Sequence, residues 1–341
     1  MSSTAAVFGS IRITWSGLTV AFGILAGVLL AYSLYTAHSG RGKAIWLVLC
    51  FSVIPSVLAS RIVYVVFHGV EYSGFFAGLL DYSDGGFWLP GAVITLWPAA
   101  LLIKKTALPD EPEELLDALA PGTAFFAGMV RLSAVFGNTC RSMYVVSAPA
   151  FRHFPVAVKM LSADGQAVWH FATFYVSALL LFALMIASLT FYILHHADKM
   201  KKPCTRHGNV ARLTLVLFCA VELVLDSTRA DRTVLSFHLL RFLNRQMREV
   251  SITQIFCTVM MLLCMLYYSK CTGSKGKKRL SVRWLLFGGG FLCAMTTEVL
   301  VQRYTEYALL LTLAQALSAL AMAAGVFLGY LACRDRENYS S

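Results

Sequence analysis

Ionisable and hydrogen-bonding residues occupy positions in this sequence where apolar runs would otherwise be unbroken. Arg61 and Tyr64 lie late in one run and Arg131 late in another, His170 and Tyr175 open a third, and Glu222, Asp226 and Arg229 lie in a fourth. Ser251 and Gln254 begin the next run, and Glu298 lies in the one after it. An ionisable side chain within a membrane span costs at least about 2.5 to 3.5 kcal/mol on insertion scales unless it is paired or wetted, so such residues mark function. Guanidinium groups clamp phosphate or carboxylate through paired N–H donors, and imidazole exchanges protons near neutral pH. Together they could bind an anion and move a proton beside it. The simpler reading is that Arg61 and Arg131 reach out to lipid headgroups and Arg229 pairs with Asp226 or Asp231. For His170 it is a hydrogen bond to backbone.

The elements that carry these residues follow from composition. Of 341 residues, 58% are hydrophobic and only 14% charged, against about 25% charged in ordinary globular chains. Mean hydropathy is +0.67. Such a chain cannot clothe a soluble surface, which excludes secreted, nucleic-acid-binding and disordered classes. Nine apolar stretches approach the roughly 20 residues that cross a bilayer: 13–35, 44–67, 86–103, 114–137, 170–194, 210–228, 252–268, 283–301 and 307–332. The expected fold is all-α, a polytopic helical membrane protein with about nine transmembrane helices. The first span, preceded only by Arg12, is expected to be uncleaved.

Orientation is read from alternate loops. Arg41 and Lys43, Lys104 and Lys105, the group from Lys199 to Arg206, and the group from Lys270 to Arg279 share one side, which the positive-inside rule makes cytoplasmic. The amino terminus is then external and the carboxy terminus internal. All the candidates except Glu222 and Glu298 fall in the outer half of the membrane. The net charge of +11 fits cytoplasmic loops and anionic lipid, not nucleic acid. Residues 138–169 form the longest non-spanning segment, an external surface domain or lid. Arg229, Arg232, Arg241, Arg245 and Arg248 crowd the next external loop against the charge rule. Either they bind outer-leaflet phosphate, or Phe237, Leu240, Leu243 and Met247 make the loop an amphipathic interfacial helix. Asp110, Glu111, Glu113 and Glu114 around Pro112 signal a helix start. Nine cysteines show no metal-ligand spacing, so neither zinc nor a disulfide framework is expected. Cofactors are expected to be none.

In order along the chain, several motifs resemble a known family. Ile11-Arg12 with Trp15-Ser16-Gly17-Leu18, Ser60-Arg61-Ile62-Val63-Tyr64, and Asp84-Gly85-Gly86 stand ahead of Asp117, Ala120-Pro121, Gly128 and Arg131-Leu132. His170 and Tyr175, Asp226-Ser227-Thr228-Arg229-Ala230-Asp231, and Ser251-Ile252-Thr253-Gln254-Ile255 follow. This series is similar to prolipoprotein diacylglyceryl transferase, collinear over about residues 11–270. Pro90, in Phe87-Trp88-Leu89-Pro90-Gly91, stands where the family carries a histidine, and Ser133 and Ala134 replace a Gly-Asn pair.

The resemblance implies a bacterial plasma (inner) membrane enzyme that moves diacylglyceryl from phosphatidylglycerol to a cysteine of a lipoprotein precursor. It implies Arg131, Arg229 and His170 as catalytic residues. Arg61, Tyr64, Tyr175, Asn138, Asp226, Ser251 and Gln254 would bind substrate, with no metal. Residues 11–270 would form a seven-helix core with the external segment 138–169, and residues 271–341 two additional transmembrane helices and a cytoplasmic tail. Loss of the family histidine leaves open a phospholipid-binding pseudoenzyme or regulator. A small transporter is the third alternative, disfavoured because no repeat is visible and most charges lie away from the midplane.

Overall fold

In a computed structural model the chain is described over residues 4–8, 11–40, 42–68, 72–81, 87–106, 112–136, 142–161, 167–196, 207–237, 248–271, 277–301, 303–304 and 307–337. Eleven helices follow in order: α1 (Trp15–Ser39), α2 (Lys43–Phe67), α3 (Phe75–Leu80), α4 (Leu89–Ile94), α5 (Leu96–Thr106), α6 (Pro112–Ser133), α7 (Thr173–His196), α8 (Asn209–Asp226), α9 (Ile252–Cys271), α10 (Lys277–Val301) and α11 (Ala308–Glu337). Three antiparallel two-stranded ribbons accompany them: β1 (Thr4–Phe8) with β2 (Ile11–Thr14), β3 (Ala157–Leu161) with β4 (Ala167–Phe171), and β5 (Val234–Phe237) with β6 (Arg248–Ser251).

The chain is a polytopic helical membrane protein. Among the described residues seven helices, α1, α2, α6, α7, α9, α10 and α11, are long and apolar enough to cross a bilayer. The third expected span is instead two short helices, α4 and α5, meeting at Thr95. The sixth, α8, is 18 residues long and carries Arg212, Glu222 and Asp226. All three are buried, because α8 is the central helix, packed by α6, α7, α9 and α11. The outer helices turn large apolar side chains outward, Phe22, Leu25 and Leu29 on α1 and Leu309, Leu317 and Leu320 on α11 among them. In lipid that face needs no polar cover.

Close backbone contact locks α1 to α6. A Cβ on Gly27 would lie 2.7 Å from the Gly122 carbonyl oxygen, and one on Gly122 would lie 2.2 Å from that of Gly27. Only glycine fits either position, the small-residue packing that associates helices where no hydrophobic force acts between them. Thr14 caps α1, its Oγ1 accepting from Gly17 N at 3.1 Å. Helix α8 is capped from another helix: Asp117 of α6 accepts from the backbone N–H of Gly208 at 2.6 Å and of Ala211 at 2.8 Å. This satisfies donors that a helix start leaves unpaired and sets a carboxylate against its positive dipole end. The cap thereby fixes α8 against α6, the two helices that carry the central charges.

All three ribbons lie at one end of the bundle, where α1, α7 and α9 begin; β2, β4 and β6 lead into those helices, α7 after Ala172. Residues 238–247, which include most of the expected interfacial helix with Arg241 and Arg245, lie outside the described residues. Its flanks are strands: Phe237 pairs with Arg248 across β5 and β6, so the helical reading of those two positions is corrected. Four-residue strands in a loop of mixed polarity leave too short a pattern to distinguish from helical spacing.

Candidate functional site

Arg131 ends α6, where a cation meets the negative end of the helix dipole. Its guanidinium grips Glu222 of α8 with both Nε, 3.3 Å from Oε1, and Nη2, against Oε2. The pair is buried, with side-chain exposures of 6% and 1%. Two charges persist there because each satisfies the other in a bidentate arrangement. Glu222 therefore stands at the level of Arg131, which corrects its assignment away from the outer half.

One turn further along α8, Asp226 accepts from Arg229 Nη1 at 3.3 Å and from Ser251 Oγ. Arg229 Nε also reaches Asp231 Oδ1 at 3.1 Å. Asp226 interacts electrostatically with both Glu222 and Arg131, so Arg131, Glu222, Asp226 and Arg229 form one continuous charged run in which the two carboxylates lie between the two guanidinium groups. The pairing of Arg229 with Asp226 and Asp231 is the simpler of the two sequence expectations. It leaves the arginine oriented and only partly covered, at 15% side-chain exposure.

His170 sits in β4 beside this run. Its Nδ1 lies 2.9 Å from the Ser142 carbonyl; a carbonyl only accepts, so Nδ1 carries the hydrogen and the neutral ring keeps its lone pair on Nε2. Ser142 bridges to Arg229 in an antiparallel pairing, and its Oγ donates to the Thr228 carbonyl at 3.1 Å. One residue of the segment between α6 and α7 thus joins the histidine to the arginine. Tyr175, one turn into α7, packs edge-on to Phe154 at 5.2 Å.

Arg61 has a different setting. It is fully buried, and its guanidinium donates to the carbonyls of Gly78, at 3.0 and 2.6 Å, and of Asp81 and to Tyr72 Oη at 3.3 Å. The rings of Tyr64, Tyr72 and Phe87 surround it at 5.3 to 5.9 Å, with Tyr64 stacked on His68 at 4.0 Å. Arg61 anchors the corner between α2 and α3. Asn138 lies outside the described residues.

A second network, centred on α10, meets the same end. Glu298 accepts from Arg232 Nη1 at 2.7 Å, Gln254 Nε2 at 3.0 Å and Gln315 Nε2 at 2.7 Å, and Gln315 Oε1 accepts from Ser227 Oγ at 2.6 Å. Glu298 therefore also belongs to the level of the arginines. Ser142 and Gln315 carry no sequence signal, because a lone serine or glutamine has no spacing pattern, and Ser227 stands in the Asp226–Asp231 motif without a role of its own.

Below the charges lies an apolar recess of about 110 Å³, open to the surface and lined by Val93, Trp97, Ala127, Phe218, Phe256 and Met260 among others. Ala127 and Phe218 precede Arg131 and Glu222 by one helical turn each, so the recess ends beneath the ion pair. A polar head above and a greasy trough below is the division of a phospholipid.

A family model for prolipoprotein diacylglyceryl transferase matches residues 3–270. The chain belongs to the prolipoprotein diacylglyceryl transferase family. No curated protein sequence matches it significantly. Within this family member, Pro90 occupies the first turn of α4 and is buried. Its segment is pinned to α2 and α9: Trp88 exchanges hydrogen bonds with Ser60, donating N–H at 3.2 Å and accepting from Oγ at 3.0 Å, and its indole Nε1 donates to Thr253 Oγ1 at 3.1 Å. Proline supports a helix start and offers no proton chemistry. The family match ends at residue 270, so Glu298 and Gln315 are supplied from outside it. Among the described residues, one group of three side chains has metal-ligand proximity, His38, Glu114 and His196, at the opposite end of the bundle.

Proposed function

We propose that the protein transfers a diacylglyceryl group from phosphatidylglycerol to the thiol of an acceptor cysteine in a lipoprotein precursor. The observation that carries this reading is the buried Arg131–Glu222 pair at the head of the apolar recess, in a chain of this family. An acyl chain lies in the recess and the phosphate rises to Arg131 and Arg229. The acceptor sulfur attacks the glyceryl carbon that bears the phosphate ester. A C–S bond forms as the C–O bond breaks, and glycerol phosphate departs with the electron pair. The arginines stabilise the charge that grows on the leaving phosphate, where preorganised donors act most strongly. Glu222, Asp226 and Asp231 hold the two guanidinium groups in place before substrate arrives, and Ser251 steadies Asp226. His170 takes the thiol proton at Nε2, since the thiolate is the nucleophile. Arg61 and Tyr64 shape the α2–α3 corner, Tyr175 borders the external segment, and Gln254 ties α9 to Glu298.

The reading extends to placement. The protein crosses a bacterial plasma membrane nine times, α4 with α5 and the central α8 included, with its amino terminus outside and its arginines toward the outer leaflet. Residues 11–270 form the transferase core, and residues 271–341 add two crossings and a cytoplasmic tail.

A second reading rests on Pro90: a pseudoenzyme that binds phospholipid without transferring it. Incubation of purified protein with phosphatidylglycerol and a one-cysteine precursor peptide separates them. Transfer gives the peptide the mass of one diacylglyceryl group. Lipid binding weakened by Arg131→Ala, without any modified peptide, supports the pseudoenzyme.

A further inference from the structure

At the end of the bundle away from the arginines, three helices bring together two imidazoles and a carboxylate. His38 comes from the last turn of α1, Glu114 from the first turn of α6 and His196 from the end of α7. His38 Nε2 lies 3.6 Å from Glu114 Oε1, and one ligating atom from each of the three lies within 4.8 Å of the others. The two imidazole rings meet edge to face with centroids 4.1 Å apart.

The protonation pattern of His196 turns this cluster toward a ligand. Its Nδ1 is 2.9 Å from the Tyr192 carbonyl. That oxygen only accepts, so Nδ1 bears the hydrogen and Nε2 presents its lone pair. Nε2 is buried and has no hydrogen-bond partner. A buried lone pair without a donor is costly, and the His38–Glu114 pair does not relieve it. Histidines that ligate metals typically donate their other N–H to a carbonyl or carboxylate, which fixes tautomer and ring direction. The Tyr192 carbonyl does this for His196.

We propose that His38 Nε2, Glu114 and His196 Nε2 bind one divalent transition-metal ion of the zinc type. Two imidazoles and one carboxylate suit such an ion, whereas calcium and magnesium take oxygen ligands. Three protein ligands leave a fourth position for water. The ion ties the ends of α1 and α7 to the start of α6, the helix whose other end carries Arg131. Sequence spacing does not reveal the site, because each ligand comes from a different helix.

The test uses full-length protein in detergent, freed of any histidine tag, stripped with chelator and titrated with cobalt(II), whose visible absorption reports its ligands. About one cobalt per chain is expected, with bands of a four-coordinate nitrogen–oxygen site that zinc abolishes. His196→Ala and Glu114→Gln should each weaken binding by about tenfold or more, while His153→Ala, on the exposed external segment, should leave it unchanged. Circular dichroism confirms that each variant is folded, and zinc should raise the melting temperature of the unmodified protein but not of His196→Ala. Folded protein that shows no cobalt bands overturns the proposal. So does binding that persists in the His38→Ala/His196→Ala double variant.

Discussion

Arg131 and Glu222, on neighbouring helices, form a bidentate ion pair buried one helical turn above the apolar recess. The pair gives α6 and α8 a neutral contact in the membrane, and under the proposed transfer it also orients a guanidinium for phosphate. Removing one partner strands the other charge. Glu222→Ala is expected to destabilise the protein by about 3 to 5 kcal/mol, read as a lower melting temperature in detergent. Arg131→Lys keeps the charge but loses the fork. It should cost less stability than Glu222→Ala and still slow transfer by about 100-fold, read from initial rates.

Arg229 is held by Asp226 and Asp231 and is more exposed than Arg131. Arg229→Ala is expected to nearly abolish transfer while lowering the melting temperature less than Arg131→Ala does. Equal stability losses with transfer retained would make Arg229 a purely structural residue.

For His170 the separating variable is pH. The acceptor thiol, with an ordinary pKa of about 8.5, is largely protonated at pH 7 and ionises unaided as pH rises. His170→Ala should therefore be strongly slowed at neutral pH, and the defect should shrink above about pH 8.5. A defect that is constant with pH would place His170 outside the proton transfer.

Glu298 tests whether α10 and α11 belong to the working site. Glu298→Ala leaves half-buried Arg232 and buried Gln254 and Gln315 without their shared acceptor. The expected loss is about 3 kcal/mol, with transfer falling as β5 and α9 lose their tie. Unchanged stability would show that the network is dispensable.

The long spans and the arginines at their ends were legible because an apolar run of bilayer length and an ionisable residue inside it are both local signals. Arg229 and its acids were legible for the same reason, lying within a few residues. The partners of Arg131, Gln254 and Arg232 were not, since Glu222 and Glu298 come from other helices and their depth was judged from their own span alone. The break at Thr95 and the crowding around α8 also escaped the pattern. Hydropathy tells how apolar a segment is, not whether it faces lipid or other helices, and α8 keeps its charges because Arg212, Glu222 and Asp226 are buried against neighbouring helices.

The most direct measurement follows both products at once: thioether-linked diacylglyceryl on a one-cysteine precursor peptide, and glycerol phosphate released from phosphatidylglycerol. The expected result is equimolar appearance of the two with the unmodified protein, and loss of both with Arg131→Ala. Folded protein that binds phosphatidylglycerol yet forms neither product would contradict transfer and leave the lipid-binding role associated with Pro90.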